Sequence, residues 1–164
     1  MNETYVECLV KRKTPTHLKM LKILLVTLTV AFVLVGFILI PALLFGIAFG
    51  VAAYFMHLNT ELEYEYLYVD KELTVDKVMA KTKRKRVAVY TVEKMEIVAP
   101  VKSWHLDNYK NRNGKEVDYS SREVKQPDTR YVFYYEGRQK VIFEPNEDLV
   151  KAMQFAAPRK VFKD

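Results

Sequence analysis

The chain has 164 residues, a formal net charge of +6 at pH 7 and 50% hydrophobic residues. That length suffices for one domain of ordinary size and an additional segment. The single cysteine, Cys8, excludes an intrachain disulfide framework. The five glycines form no glycine-rich phosphate-binding loop.

The first predicted element is an apolar run from Ile23 to Met56 that contains no Asp, Glu, Lys or Arg. A helix in hydrocarbon must be apolar all round, and about 20 residues cover the ~30 Å core of a bilayer. The run is too long for one straight span, and Pro41 breaks it. We therefore predict a transmembrane hairpin with spans at about 21–39 and 41–57. A re-entrant hairpin remains the alternative, because the turn between the spans has no polar residue.

Basic residues in the N-terminal flank predict the orientation of this hairpin. Short segments rich in Lys and Arg stay in the cytoplasm, and a hairpin returns the chain to the side it left. We predict a multi-pass protein of the bacterial cytoplasmic membrane with both termini in the cytoplasm. The run starts too late in the chain for a cleaved signal peptide. The basic residues of the flank are Lys11, Arg12, Lys13, Lys19 and Lys22.

Two small residues in the second span, Gly46 and Gly50, are spaced for close helix packing. We expect them to pack the second span on the first, and a homo-oligomer contact is the alternative. The run has no acidic or basic residue, which argues against an ion pathway or a proton relay.

Residues 61–164 show the two-residue alternation of β-strands. Tyr64, Tyr66 and Tyr68 lie on one side of the first strand and are expected to pack in a core. So many short strands should close into a small antiparallel β-barrel or a curled sheet. The predicted strands cover 62–69, 72–80, 86–92, 95–99, 129–136 and 139–143.

The last predicted element is an amphipathic helix over 146–157, with Asn146 as its N-cap, which should cover one end of the barrel. The long segment 101–128 is polar. Its Asn113-Gly114 pair predicts a type I′ hairpin turn.

The strongest charge cluster lies between the second and third predicted strands. It can contact anionic lipid headgroups or an acidic protein partner, and the alternative is a solvated turn. Nucleic acid is not expected, because no aromatic stacking set accompanies the cations. The cluster consists of Lys81, Lys83, Arg84, Lys85 and Arg86.

Catalytic patterns are missing from the sequence. His17, His57, His105 and Cys8 are scattered, which gives neither a metal-ligand spacing nor a nucleophile with a base. We therefore expect a protein that is not an enzyme, with no cofactor and no metal.

Several segments resemble an uncharacterised bacterial membrane protein family with two N-terminal transmembrane helices and a cytoplasmic C-terminal domain. That resemblance transfers no site residue. The matching segments are EYLYV at 65–69, EL at 72–73, KRKR at 83–86, EKME at 93–96, DYSS at 118–121, FEPNE at 143–147 and APRKVF at 157–162.

The order of strands, basic turn, further strands and closing helix is also similar to bacterial pleckstrin-homology-like (PH-like) domains. This resemblance implies a half-open barrel that serves as a lipid or protein docking module. We therefore expect an α+β membrane protein with a boundary near residue 60, whose C-terminal domain binds anionic lipid or a protein partner. The alternative function is a structural subunit of a membrane complex, assembled through the hairpin.

Overall fold

A computed structural model describes residues 5–164. The described residues form three α-helices and eight strands in a mixed α+β fold. The helices are α1 (Thr16–Gly36), α2 (Ala42–Thr60) and α3 (Glu147–Ala156). The strands are β1 (Val6–Lys11), β2 (Leu62–Val69), β3 (Glu72–Met79), β4 (Lys83–Thr91), β5 (Met95–Pro100), β6 (Lys115–Asp118), β7 (Tyr131–Tyr135) and β8 (Gln139–Phe143).

The chain divides into two compact units. The helical unit comprises residues 13–62 and 79–83. The sheet unit comprises residues 5–12, 63–78 and 84–164. The helical unit is therefore an insertion into the sheet unit, whereas the sequence placed residues 1–60 in a single N-terminal segment.

In the helical unit, α1 and α2 pack along each other through aromatic and small side chains. The Phe32 ring lies 5.7 Å from Phe45 and 5.4 Å from Phe49, measured between centroids. A Cβ built on Gly46 would lie 3.1 Å from Cγ2 of Val33, so this glycine lets the helices approach closely. Both helices are long and apolar enough to cross a membrane by length and composition.

The end of the hairpin that carries its two chain connections is polar. The Lys22 ammonium lies 2.8 Å from Nδ1 of His57 and 3.2 Å from Oε1 of Glu61. The Thr14 hydroxyl donates to the Thr60 carbonyl. These groups tie the start of α1 to the end of α2.

The first sheet has the strand order β1-β2-β3-β4. β1 is antiparallel to β2, with Val6 opposite Tyr68 and Lys11 opposite Glu63. The sequence analysis did not predict β1, because the charges around it resembled a solvated flank. Cys8 and Val10 nevertheless alternate with exposed residues and are buried in the core.

The second sheet has the order β5-β7-β8-β6. β6 runs parallel to β8, so the predicted hairpin around Asn113-Gly114 is wrong. The Lys115 amide instead donates to the Arg138 carbonyl at 2.9 Å. A Cβ on Gly114 would lie 2.7 Å from that carbonyl oxygen, so the glycine permits this close approach to β8.

The two sheets contribute to one hydrophobic core, but backbone hydrogen bonds do not join them into a closed barrel. The predicted closed barrel is not found, since the described strands form two separate four-stranded sheets. Aromatic contacts join the sheets instead, such as Tyr66 with Phe143 at 5.9 Å and Tyr90 with Phe133 at 5.0 Å between ring centroids. Helix α3 adds the buried Leu149 to this core.

Candidate functional site

The predicted basic cluster lies partly in a turn and partly in a strand. Lys81 has a positive φ of 56° in the turn after β3. β4 begins at Lys83, three residues before the predicted start at Arg86, and its first four residues are exposed. The cluster is therefore mostly an edge strand rather than a turn, and its members fall into both units.

Two of the five cations pair with buried carboxylates. The Arg84 guanidinium lies 2.6 Å from Oε2 of Glu65, which is only 2% exposed. Burial, followed by a hydrogen bond with Glu7, raises the pKa of Glu65, and Arg84 opposes that rise. Arg86 lies 3.7 Å from the buried Asp76. These two arginines compensate buried charge and are only partly available to a ligand.

The three lysines of the cluster have different surroundings. Within the helical unit, the Lys83 ammonium lies 5.6 Å from the centroid of the Tyr54 ring, a cation–π distance. Lys81 and Lys85 are exposed and make no ion pair with another of the described residues. They are the two cations of the cluster that a partner can reach without displacing an internal contact.

A separate open groove of about 620 Å³ lies in the sheet unit between β4 and β6. Each of these strands is the last in its sheet, so neither has a strand neighbour on the groove side among the described residues. We call this feature the β4–β6 groove. Its principal lining residues are Val87–Tyr90 of β4, Lys115–Tyr119 along β6, and Arg12, Tyr64, Arg122, Tyr135 and Gln139.

Tyrosine side chains line the base of the β4–β6 groove. The ring of Tyr64 lies 5.3 Å from that of Tyr119, and the ring of Tyr90 lies 5.0 Å from that of Tyr135. The Tyr90 and Tyr119 hydroxyls are 3.5 Å apart, and the Gln139 amide donates to the Tyr90 hydroxyl at 3.2 Å. Burial, followed by the hydrogen bond with Tyr119, raises the pKa of Tyr90. The Tyr90 phenol therefore stays neutral at the base of the groove.

Three cations and two carboxylates lie on the rim of the groove. The carboxylates are already paired, Asp118 with Arg122 at 3.3 Å and Glu116 with Lys140 at 2.8 Å. Lys115 makes no ion pair within residues 5–164. Arg12 donates to the Tyr64 hydroxyl at 2.6 Å. The charges on the rim therefore favour an anionic ligand.

The buried carboxylate of Glu144 fixes the segment that follows β6. It accepts hydrogen bonds from the Ser121 amide at 3.1 Å and the Thr129 hydroxyl at 2.7 Å. Burial acts to raise the pKa of Glu144, but these hydrogen bonds outweigh burial and leave the pKa lowered. The Tyr66 hydroxyl donates to the Tyr119 carbonyl at 2.7 Å. These contacts hold Tyr119 in the groove.

The sequence analysis did not identify this groove. Arg12 was assigned to the membrane flank, and β6 lay inside the long predicted loop. The only signal was the continuous apolar run Val87–Tyr90 in β4, which leaves Val87 and Val89 38% and 44% exposed. Exposed valines on an edge strand are a liability that proteins usually cover.

The histidines occupy structural positions. The His105 ring stacks between Trp104 and Phe162 with both centroid distances at 3.8 Å, and His57 belongs to the polar end of the hairpin. Within residues 5–164, no group of three His, Cys, Asp or Glu side chains is arranged to hold a metal ion.

Comparison with known families identifies the fold. Residues 2–163 match the model of the family described as "Bacterial PH-like domain (DUF6106)". The match covers nearly the whole chain, which therefore belongs to this uncharacterised bacterial family, and the predicted resemblance is confirmed. No curated protein and no solved structure matches the chain.

Proposed function

We propose that this bacterial PH-like protein is a non-enzymatic, membrane-anchored binding protein. Its helical unit inserts into the cytoplasmic membrane, and its sheet unit binds an anionic lipid surface or a protein partner on the cytoplasmic side. Membership in a family of PH-like domains supports a binding role. The observation that carries the proposal is the exposed apolar surface of α1 and α2.

That surface is too apolar for contact with water. Side chains around both helices are more than half exposed, including Ile23 at 65%, Leu34 at 62% and Ile47 at 65%. Monomeric soluble proteins rarely expose contiguous apolar patches larger than a few hundred Å². Hydrocarbon is the environment in which a helix apolar on all sides is stable.

Strand pairing supports placing both ends of the hairpin on one side. β1 precedes α1 and β2 follows α2, yet the two strands are hydrogen-bonded along Val6–Lys11. A chain that leaves and re-enters one sheet must return to the side it left. The basic residues of the flank then favour the cytoplasmic side.

Cysteine accessibility in intact cells tests the topology. In a Cys8→Ala background, single cysteines at the exposed positions Tyr5, Lys110 and Asp164 should resist an impermeant maleimide until the cells are opened. Extraction at alkaline pH should leave the protein in the membrane fraction. Labelling of all three positions from outside, or release of the protein by alkali, would refute the proposed anchoring.

The lipid contact is tested separately in nanodiscs. A cysteine at Val87, next to the basic cluster, should label more slowly in anionic than in neutral lipid, and salt should remove the difference. Lys81→Gln with Lys85→Gln should also remove it, while a control cysteine at Val124 labels equally in both lipids. Equal labelling of Val87 in both lipids would exclude the lipid and leave a protein partner.

The alternative function, a complex assembled through the hairpin, has less support. Gly46 lies against Val33 of the same chain, so the predicted small-residue face is already used inside the hairpin. A partner could reach it only after α1 and α2 separate.

A further inference from the structure

We propose that the β4–β6 groove binds an acidic, extended peptide segment of a partner protein, which adds as a β-strand along the free edge of β4. This inference rests on the proposed binding role and names the partner's chemistry. It concerns only the sheet unit.

The first reason is the backbone. β4 pairs with β3 on one side only, and β6 pairs with β8 on one side only. The edges that border the groove therefore carry backbone donors and acceptors that have no strand partner among residues 5–164. An extended peptide satisfies such groups by main-chain hydrogen bonds, which supply affinity in β-strand addition.

The second reason is the apolar surface of β4. Val87 and Val89 are 38% and 44% exposed although their strand neighbour Tyr90 is only 3% exposed and belongs to the core. Alternate side chains of an added strand would cover these valines, since side chains on one face recur every second residue. Val87 and Val89, two residues apart on one face of the strand, match β-branched or aromatic residues of the partner.

The third reason is charge. Glu116 and Asp118 are neutralised by Lys140 and Arg122, which leaves Lys115 and Arg12 as an excess of cationic groups along the groove. Lys85 adds a further unpaired cation on the same edge strand. A second copy of β4 would bring like charges together, so the charge pattern disfavours self-association and favours an acidic segment.

The tyrosine hydroxyls give the groove a polar base. Tyr90 and Tyr119 are linked to each other and to Gln139, and this fixed arrangement can orient carboxylate side chains of the peptide.

The test uses the full chain in neutral detergent micelles without lipid and a fluorescent probe peptide of alternating glutamate and valine. Fluorescence anisotropy should report binding that weakens with salt, whereas a peptide of alternating lysine and valine should not bind. N-methylation of alternate amides on one edge of the acidic peptide should abolish binding, because it removes main-chain donors but keeps the charges.

Matched variants locate the site. Val89→Glu places a negative charge on the groove and should weaken binding at least about tenfold, equivalent to ~1.4 kcal/mol. The control Val124→Glu changes another exposed valine, 63% accessible and outside the groove, and should bind as the wild type does. Both positions are exposed, so neither change should impair folding.

Three results would overturn the inference. These are failure of the acidic peptide to bind, equal binding by the two glutamate variants, and undiminished binding of the N-methylated peptide. If the peptide fails but Val89→Glu removes the slower labelling of the Val87 cysteine in anionic nanodiscs, the groove takes a lipid headgroup instead. All these outcomes leave the membrane-anchoring experiments unaffected, so failure here is distinguishable from failure of the proposed function.

Discussion

The tip of the helical hairpin gives the sharpest test of how deeply the protein enters the membrane. From Lys22, whose ammonium lies near His57 and Glu61, α1 extends about 21 Å to its end at Gly36, at ~1.5 Å per residue. The return along α2 from Ala42 to His57 covers about 22 Å by the same rule. These parts of the two helices, counted from their polar end, are about 8 Å shorter than the ~30 Å hydrocarbon core.

The turn itself is suited to hydrocarbon rather than water. Its side chains are all apolar and largely exposed, with Phe37 at 82% and Ile38 at 85%. Most of its amides are bonded internally, for example Ile38 to the Val35 carbonyl at 2.9 Å and Ala42 to the Leu39 carbonyl at 2.9 Å. Irregular backbone inside the hydrocarbon region requires hydrogen-bond partners within the protein for its polar groups. We therefore predict a re-entrant hairpin whose tip stays below the far surface.

The perturbation is Ile38→Cys in the Cys8→Ala background. A thiol held in hydrocarbon has a raised pKa, and a rise of about two pH units leaves roughly one hundredth of the reactive thiolate. We expect an impermeant maleimide to label this cysteine at least about a hundredfold more slowly than a cysteine at Asp164 in opened cells.

Denaturation in urea and detergent should make the two rates equal, which controls for protein amount. Rapid labelling of Ile38→Cys from outside intact cells would show that the tip emerges into water. The hairpin would then span the membrane fully, and the length argument would be wrong.

Three further predictions concern the network around Glu144, the N-cap of α3 and hairpin packing. The pKa of Glu144 is lowered on folding, so its ionised form stabilises the protein above the unfolded pKa of ~4.3, and that contribution is lost as pH falls through the folded pKa. In urea unfolding in detergent, the free energy of unfolding of Glu144→Gln should therefore be about 1–3 kcal/mol below that of the wild type at neutral pH. This difference between the two proteins should shrink below about pH 4, and a difference that stays constant with pH would contradict the prediction. Asn146 accepts from the Leu149 amide at 2.9 Å, so Asn146→Ala should cost about 1 kcal/mol in the same assay while Asn146→Asp costs little, and equal losses would argue against capping. Gly46→Ala should lower the free energy of unfolding of the hairpin by about 1 kcal/mol, because the added methyl group crowds Val33. Gly50→Ala, whose Cβ would lie 3.4 Å from Thr29, should be tolerated. A larger loss of stability from Gly50→Ala than from Gly46→Ala would refute the packing geometry.

The sequence was most informative where one periodic pattern dominated. The bounds of β2, Leu62–Val69, and of β8, Gln139–Phe143, agree with the alternation read from the sequence. The two apolar helices and the helix capped by Asn146 follow from hydrophobicity and capping chemistry in the same way. These elements are determined by contacts near in sequence.

The missed features depend on pairing between distant segments. β1 is short and charged, and its buried Cys8 and Val10 acquire meaning only opposite Tyr66 and Tyr64 of β2. β6 is a strand because its backbone meets β8 in parallel. The groove depends on both, since its residues come from segments separated by the hairpin and the long loop. No local sequence pattern predicts that Arg12 and Tyr119 line the same groove.

The surroundings of the basic cluster also depend on strands that precede it in the chain. Charge density along the sequence pointed to residues 81–86, but Arg84 and Arg86 face carboxylates that β2 and β3 bury. Lys85 and Lys115, two cations without an ion pair among the described residues, lie on strands from two different sheets that border one groove. In the proposed strand addition, the position of the binding surface is determined by which described strand edges lack a partner, and the surrounding charge selects the sign of the ligand.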